Sequence, residues 1–166
     1  MSPYAITKLD GEYHCDLWTS EGLLQTASLR FFNVFGPRQD PNSAYAAAVP
    51  IFIDKARKNE TITIFGDGEQ TRDFIYVKDI AAGLAYAAET ESVSGAYNIG
   101  YGGSTTINSL ARKIVALTES ESKIQHASTR AGDVKHSRAS AEKLAATGWE
   151  PRYGFKQGLL ETLSGK

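Results

Sequence analysis

Short apolar segments alternate with helical stretches along almost the whole length of this chain of 166 residues. The predicted strands are rich in β-branched and aromatic residues and cover 27–34, 61–65, 71–76, 96–99 and 123–126. The predicted helices cover 3–21, 46–58, 77–89, a segment capped by Thr106, 140–148 capped by Ser140, and 155–163. Because strands that alternate with helices are typical of α/β proteins, the sequence predicts an α/β fold.

Two details of this pattern predict local structure. The segments 61–65 and 71–76 are predicted strands that flank a turn formed by Gly66, Asp67 and Gly68. The first helix carries an apolar stripe formed by Ile6, Leu9, Tyr13 and Leu17.

The composition argues against several classes of function. Lys and Arg number 18 and Asp and Glu number 19, so charge gives no reason to expect a nucleic-acid or membrane partner. No apolar run approaches the roughly 20 residues of a membrane span, and we expect no signal peptide. Cys15 is the single cysteine, which excludes an internal disulfide and predicts a cytoplasmic protein. His14, His126 and His136 lack metal-ligand spacing, so we expect no metal site.

Tyr4 and Lys8 lie four residues apart behind a helix start formed by Ser2 and Pro3, so both side chains project from one face of one helix. A phenol has a pKa near ~10 in water, and a neighbouring lysine ammonium favours its phenolate form. Such a pair can take the proton from a sugar or alcohol hydroxyl group while a nicotinamide takes the hydride. Pairs of this kind also occur on many surface helices that have no catalytic role.

The segment from Gly100 to Gly103 follows a predicted strand and precedes a predicted helix, which is where a phosphate-binding turn lies in dinucleotide-binding proteins. The G-x-G-x-x-G pattern requires glycine at position 105, where this chain has Thr105. The sequence also lacks a complete βαβ unit with a well-placed ribose-binding acid. We therefore interpret the segment as a glycine-rich connection between strand and helix, and we expect no self-sufficient dinucleotide site.

Several blocks share the pattern of one family, in the family's order and spacing. They cover 2–8, 29–38, 66–79, 97–100, 130–133 and 149–151. On these blocks the chain resembles the C-terminal portion of the extended short-chain dehydrogenase/reductase family, specifically its NAD-dependent nucleotide-sugar epimerases and dehydratases. The loop at 40–45 is similar to that of UDP-glucose and UDP-N-acetylglucosamine 4-epimerases.

The resemblance implies the last sheet strands and helices of a Rossmann-type fold, together with a small mixed α/β substrate-binding domain. Residues 1–35 and 77–100 would be the remnant of an NAD-binding Rossmann domain. Residues 36–76 and 101–166 would form the nucleotide-sugar-binding domain.

The resemblance also implies a redox site that uses NAD as its cofactor. Tyr4 would be the catalytic base, and Lys8 would activate it and hold the nicotinamide ribose. Phe32 and Val34 would lie near the nicotinamide. The backbone after Phe32 would lie near the carboxamide group of the nicotinamide. In the parent reaction, the Tyr4 phenolate would remove the C4 hydroxyl proton of the sugar as hydride moves to NAD⁺, and the hydride would return to the opposite face of the 4-keto sugar.

A UDP-sugar would be the substrate. Asn33 would bond a diphosphate oxygen, and Arg72 and Arg130 would clamp the diphosphate, a task suited to the donor geometry of guanidinium. Asp133 would accept a hydrogen bond from the uridine ribose. The nucleotide pocket would be lined by Ala47, Ala48, Phe52, Thr63, Ile64 and Phe65.

The residues by themselves leave simpler interpretations open. Asn33 can satisfy a turn at the end of a strand, and Arg72 can form a surface ion pair with Asp73. Arg130 and Asp133 can belong to a solvated loop.

The family's glycine-rich loop, its first five strands and the Ser/Thr that bonds the substrate hydroxyl precede the catalytic tyrosine, and this sequence contains none of them. We therefore expect an exposed sheet edge and an uncovered apolar face. In the family, the helix that carries the Tyr and Lys pair helps to form a homodimer. The expected protein partners are thus a second copy of the chain or a missing N-terminal half.

The sequence predicts the C-terminal fragment of an NAD-dependent UDP-sugar 4-epimerase, inactive by itself. A nucleotide-sugar 4,6-dehydratase or reductase fragment is the alternative within the family. Two other classes stay open: a module that binds UDP-sugars without catalysis, and an assembly domain whose uncovered sheet pairs with another chain.

Overall fold

The structure, a computed structural model, describes residues 3–43, 46–130 and 132–165. Its helices are α1 (Pro3–Ser20), α2 (Ala48–Arg57), α3 (Val77–Glu89), α4 (Ile107–Leu117), α5 (Glu142–Ala145) and α6 (Phe155–Ser164). Its strands are β1 (Ala27–Phe31), β2 (Asn33–Phe35), β3 (Ile62–Phe65), β4 (Thr71–Arg72), β5 (Phe74–Tyr76), β6 (Gly95–Ile99), β7 (Thr105–Thr106), β8 (Ile124–Ala127) and β9 (His136–Ser137). Strands and helices alternate, so the predicted α/β class is confirmed.

Parallel strand pairs dominate the described sheets. β1 pairs with β6, β2 with β5, and β3 with β8, all in parallel. A further sheet places β4 between β7, which is antiparallel to it, and β9, which is parallel. Among the described strands, β1 pairs with β6 alone, so its other edge is open, as expected from the resemblance.

Two predicted strands are interrupted. The segment predicted at 27–34 divides at Phe32 into β1 and β2, and the segment predicted at 71–76 divides at Asp73 into β4 and β5. The strands predicted on either side of the turn at Gly66 are present but do not pair with each other, because β3 pairs with β8 whereas β4 pairs with β7 and β9. The glycine turn therefore joins two different sheets.

Two helix caps were predicted, and hydrogen bonding at the helix starts confirms one of them and contradicts the other. The side-chain oxygen of Thr106 accepts a 3.0 Å hydrogen bond from the backbone N–H of Ser109, so the predicted cap of α4 is confirmed. The cap predicted at Ser140 is wrong, because α5 begins two residues later at Glu142 and no side chain caps it. Ser2, which was predicted to start the first helix, lies outside the described residues.

The buried apolar residues form two clusters. The first packs α2, α4 and α6 against β3 and β5 and contains Phe35, Val49, Phe52, Ile53, Ala56, Ile62, Ile64, Phe74, Tyr76, Ile107, Leu110, Ala111, Ile114 and Leu159. The second packs α3 and α5 around β6 and contains Ile75, Ile80, Val93, Tyr97, Ile99, Leu144 and Trp149. Because Leu144 and Trp149 join the second cluster, the chain from residue 101 onward packs into both, and the division into two domains at residues 35, 76 and 100 stays a prediction.

Helix α1 is attached to the sheet by polar contacts. The carboxylate of Glu12 accepts hydrogen bonds of 2.8 and 2.5 Å from Arg30 of β1, and this bonding lowers the pKa of Glu12. No residue of α1 is buried. The predicted apolar stripe is exposed at Ile6, Leu9, Tyr13 and Leu17. Within the described residues, no helix has both the length and the apolar character needed to cross a bilayer.

Three side chains connect α6 with the end of β5 and the start of α3. The hydroxyl group of Tyr76 donates to the carboxylate of Glu161 at 3.1 Å, and the ammonium group of Lys78 donates to the same oxygen at 2.7 Å. The bond from Lys78 is the main cause that lowers the pKa of Glu161, and the same bond raises the pKa of Lys78. Burial raises the pKa of Tyr76, so its hydroxyl group stays a donor.

The substitution Glu161→Gln should lower the melting temperature at neutral pH and have little effect in acid. Since the folded pKa of Glu161 is depressed, its carboxylate stabilises the fold above its unfolded value of about 4.3, and the contribution is lost as the pH falls through the folded value. Thermal unfolding of both proteins across this pH range measures the effect. Glu150→Gln, at an exposed carboxylate, is the control. A difference in melting temperature that is the same at every pH would contradict the assignment.

Candidate functional site

One open cleft, of about 710 Å³, collects residues from distant parts of the chain. Its walls come from α2 and β3, from β2 and β4, and from the loop that follows β8. The described lining residues are Phe32, Asn33, Val34, Ala46, Ala47, Ala48, Val49, Ile51, Phe52, Lys55, Thr61, Thr63, Ile64, Phe65, Gln70, Arg72, Phe74, Ile107, Arg130, Gly132 and Asp133.

The cleft contains every residue that the sequence assigned to substrate binding. These residues are Asn33, Ala47, Ala48, Phe52, Thr63, Ile64, Phe65, Arg72, Arg130 and Asp133. Phe32 and Val34, which were predicted to lie beside a nicotinamide, line it as well. The fold therefore brings the predicted substrate residues together, while the role of each one stays a prediction.

Arg72, at the end of β4, is held by two neighbouring groups. Its Nη1 donates to the carbonyl oxygen of Thr71 at 2.8 Å, and its Nη2 donates to the carboxylate of Asp133. The side chain of Arg72 is 16% exposed and that of Asp133 is 30% exposed, so solvent in the cleft reaches both. The interpretation of Arg72 as the surface partner of Asp73 is wrong, because its guanidinium group pairs with Asp133 instead.

Arg130 places a second guanidinium group in the cleft. Its Cζ lies 3.7 Å from the centroid of the Phe65 ring, so the planar cation stacks on an aromatic face. Phe65 is fixed in turn, because its carbonyl oxygen accepts a 2.7 Å hydrogen bond from the side-chain amide of Gln70. The cleft thus presents a cation and an aromatic ring side by side.

Asn33 begins β2 and is anchored to the neighbouring chain segment. Its backbone N–H and its side-chain amide donate to the carbonyl oxygen of Asp73 at 3.0 and 3.2 Å. The side chain satisfies a backbone group at a strand end, as the simpler interpretation had it, and the residue also lines the cleft.

Asp73 lies between β4 and β5 and is completely buried, with an exposed fraction of 0%. Its Oδ1 accepts hydrogen bonds of 3.2 Å from the backbone N–H groups of Tyr101 and Gly103. Its Oδ2 accepts hydrogen bonds of 3.0 and 3.2 Å from the N–H groups of Gly102 and Ala139. The glycine-rich connection is therefore an anion-binding turn, and a carboxylate of the same chain already occupies it.

The charge and polarity of the lining suit an anion attached to an apolar group. Among the described lining residues, Lys55, Arg72 and Arg130 are basic and Asp133 is the single acid, so the cleft attracts negative charge. Its apolar wall includes Val49, Ile51, Phe52, Ile64, Phe65, Phe74 and Ile107.

Tyr4 and Lys8 lie together on α1 and do not belong to the described lining of this cleft. The Nζ of Lys8 is 5.4 Å from the centroid of the Tyr4 ring, so the spacing of four residues places them on one face as predicted. Tyr4 is 71% exposed, and neither residue belongs to the described lining. The structure therefore brings this pair together, while its predicted catalytic role stays a prediction.

Sequence reasoning missed Asp73, Gln70 and Lys55. Two features pointed to Asp73: a carboxylate inside an apolar strand pattern, and a glycine-rich turn whose N–H groups need an acceptor. Gln70 and Lys55 gave no such signal, because a polar side chain in a turn or on a helix is usually solvated.

Comparison with known proteins agrees with the blocks in the sequence. Residues 1–100 match a family described as the NAD dependent epimerase/dehydratase family. A putative UDP-glucose 4-epimerase of Methanocaldococcus jannaschii is 36% identical over 99% of this chain and 53% of its own length. A UDP-N-acetyl-alpha-D-glucosaminuronate decarboxylase of Bacillus cytotoxicus is 34% identical over 96% of this chain and 51% of its own length.

A solved structure is similar over nearly the whole chain. The UDP-N-acetylglucosamine 4-epimerase of Methanobrevibacter ruminantium M1, in complex with UDP-N-acetylmuramic acid, matches with a TM-score of 0.94 and 41% identity. The match covers 99% of this chain and 53% of that one. The chain thus spans about half the length of the relatives it matches.

The substitution Gly100→Ala should lower the free energy of unfolding by about 1–3 kcal/mol. A Cβ at this position would lie 2.6 Å from Oδ2 of Asp73 and 2.5 Å from Cβ of Ala139, so the buried turn has no room for it. Chemical denaturation measures the change. Gly11→Ala, in the middle of α1, is the matched control. A Cβ at this position would meet no atom within 4 Å apart from the helix's own nearby backbone, and alanine favours a helix. Equal stability of Gly100→Ala and the parent protein would contradict this packing.

Proposed function

We propose, from the premise that this chain belongs to the NAD dependent epimerase/dehydratase family, that its cleft binds the nucleoside diphosphate part of a nucleotide sugar. The observation that carries the proposal is the presence of two guanidinium groups, of Arg72 and Arg130, in one cleft with an apolar wall. A diphosphate next to a flat base has the matching chemistry.

The diphosphate is assigned to Arg72 and Arg130. A guanidinium group has several donors in a fixed plane and binds phosphate oxygens with charge-assisted hydrogen bonds. Arg72 is paired with Asp133 in this structure, so an incoming diphosphate competes with a carboxylate for the same donors. Asn33 supplies a further amide in the same cleft.

The nucleoside is assigned to the apolar part of the cleft. Ala47, Ala48 and Phe52 on one wall and the strand from Thr63 to Phe65 on the other enclose a space suited to a pyrimidine base. Asp133, released from Arg72 when the diphosphate binds, becomes free to accept a hydrogen bond from a ribose hydroxyl. UDP-sugars are the proposed substrate class.

The proposed reaction of the whole protein is 4-epimerisation of a UDP-sugar. Tyr4 would accept the proton of the sugar hydroxyl, and the Nζ of Lys8 lies 5.4 Å from the centroid of its phenol ring. Phe32 and Val34 line the cleft where a nicotinamide would lie, and Tyr4 and Lys8 would complete that site. NAD, when bound, supplies the chemistry of hydride acceptance and return. The inactivity of this chain by itself stays a prediction.

A second candidate reaction is decarboxylation or dehydration of a nucleotide sugar. The similarity to the Bacillus cytotoxicus decarboxylase supports this candidate, because the match covers 96% of this chain. Both candidates require the same hold on the diphosphate, so the assignment of Arg72 and Arg130 does not depend on the choice.

The substitution Arg72→Ala should weaken UDP binding about 10- to 100-fold, because it removes charge-assisted hydrogen bonds to the diphosphate. Titration calorimetry of the chain with UDP measures the affinity. Arg112→Ala, at an exposed arginine on α4 outside the described lining, should leave the affinity unchanged. Absence of UDP binding by the parent chain, or equal affinity of the two variants, would overturn the proposed function.

The substitution Asp133→Asn should separate the two roles of this carboxylate. It removes the competitor for the guanidinium group of Arg72, so inorganic pyrophosphate should bind more tightly. UDP gains the same advantage but loses a charged acceptor for its ribose, so the ratio of UDP to pyrophosphate affinity should fall. Calorimetry with both ligands measures this ratio. An unchanged ratio would show that Asp133 does not contact the ribose.

A further inference from the structure

We propose that Asp73 is a positioning residue, which holds Arg72 and Asn33 at the spacing that a diphosphate requires without touching the ligand. This inference rests on the proposed function of the cleft and adds a residue that lies outside its lining. Asp73 itself is fully buried, whereas its neighbour Arg72 and its bonded partner Asn33 both line the cleft.

The side chain of Asp73 fixes this point of the chain to two other segments. Its two oxygens accept hydrogen bonds from four backbone N–H groups: three in the turn that follows β6 and one in the segment that follows β9. Bonds of this kind to an ionised acceptor are stronger than those to a neutral one. A buried carboxylate with this bonding has few alternative positions, because leaving the turn would strand both the charge and the donors.

The main chain of Asp73 carries that constraint to the cleft. Its carbonyl oxygen receives both the backbone N–H and the side-chain amide of Asn33, and its own N–H donates to the carbonyl oxygen of Ser137 at 3.0 Å. Arg72 is the preceding residue and lies in β4 between two partner strands. One anchored residue therefore sets the distance between an amide and a guanidinium group of the proposed diphosphate site.

The turn is shaped for this carboxylate. Gly102 has a φ of 78°, which favours glycine, and it donates to Oδ2 at 3.0 Å. A side chain on Gly100 would collide with the same oxygen. The sequence therefore places glycine both where the chain turns around the carboxylate and where it passes close to it.

The substitution Asp73→Asn tests the proposal with almost no change in shape. Asparagine keeps one acceptor oxygen, but its amide group faces two N–H donors, so the turn and β4 must move apart. We expect about 10-fold weaker binding of UDP by calorimetry. Circular dichroism at the same temperature establishes that the variant is folded. If Asp73→Asn does not fold, Gly100→Ala perturbs the same contact from the other side, and the same loss of affinity is expected.

Asp79→Asn is the matched control. Asp79 is 1% exposed, and its carboxylate accepts hydrogen bonds of 2.7 and 3.2 Å from the backbone N–H groups of Arg152 and Tyr153. It is therefore another buried, backbone-bound carboxylate, but it does not line the cleft. A general loss of stability should affect both variants, whereas only Asp73→Asn should weaken UDP binding. Equal UDP affinities of the two variants would overturn the proposal.

A double-mutant cycle separates positioning from a merely structural role. If Asp73 acts through Arg72, Asp73→Asn should weaken UDP binding by less than about threefold when Arg72 is already alanine. Effects that simply add would overturn the proposal. Absence of UDP binding by the parent chain, in contrast, would count against the proposed function of the cleft.

A measurement without ligand keeps the two failures apart. The side-chain NMR signals of the Arg72 Nε–H group and the Asn33 amide report the positions of these groups in the free protein. Both should shift or broaden in Asp73→Asn and stay unchanged in Asp79→Asn. Unchanged signals in Asp73→Asn would overturn the positioning role whether or not UDP binds.

Discussion

The carboxylate of Asp73 is bound by four backbone N–H groups, and much of the arrangement around the cleft follows from it. The carboxylate interrupts what would otherwise be one strand, so β4 and β5 join different sheets. It also ties the turn after β6 and the segment after β9 to the strand that carries Arg72. Its backbone carbonyl oxygen anchors Asn33 at the start of β2. A fully buried charge is stable here because each of its oxygens accepts two hydrogen bonds.

The cleft beside this anchor is neutralised in part by its own side chains. Arg72 is paired with Asp133, and Arg130 is stacked on Phe65, so both cations have partners before any ligand binds. Binding of the proposed diphosphate would therefore exchange one anion for another. The ligand has to offer more than a single carboxylate does, which two linked phosphates and a base on the apolar wall achieve together. This requirement favours a nucleoside diphosphate over a small anion.

Much of the fold and of the site was predictable from local sequence. The α/β class and the helix from Val77 to Glu89 follow from hydrophobic periodicity, and the cap at Thr106 follows from a polar residue before an apolar run. The residues predicted to bind the substrate come from the resemblance to a family, and all of them line one cleft. The pairing of strands was not predictable, because a glycine turn between two apolar segments looks the same whether it closes a hairpin or joins two sheets. The role of Asp73 was missed for a related reason: its four donors lie far away in the sequence.

The pair of Tyr4 and Lys8 shows the limit of pattern reasoning in another way. Their spacing correctly placed both side chains on one face of α1, but spacing within a helix says nothing about where the helix lies. Helix α1 is held by polar contacts and keeps its apolar stripe exposed, and neither Tyr4 nor Lys8 belongs to the described lining of the cleft.

A crystal structure of this chain with UDP would show directly whether the cleft binds a nucleoside diphosphate. We expect the diphosphate oxygens to lie within hydrogen-bond distance of Arg72 and Arg130, and Asp133 to leave Arg72 for the ribose. A nucleotide bound outside the cleft, or one whose diphosphate contacts neither guanidinium group, would contradict this expectation.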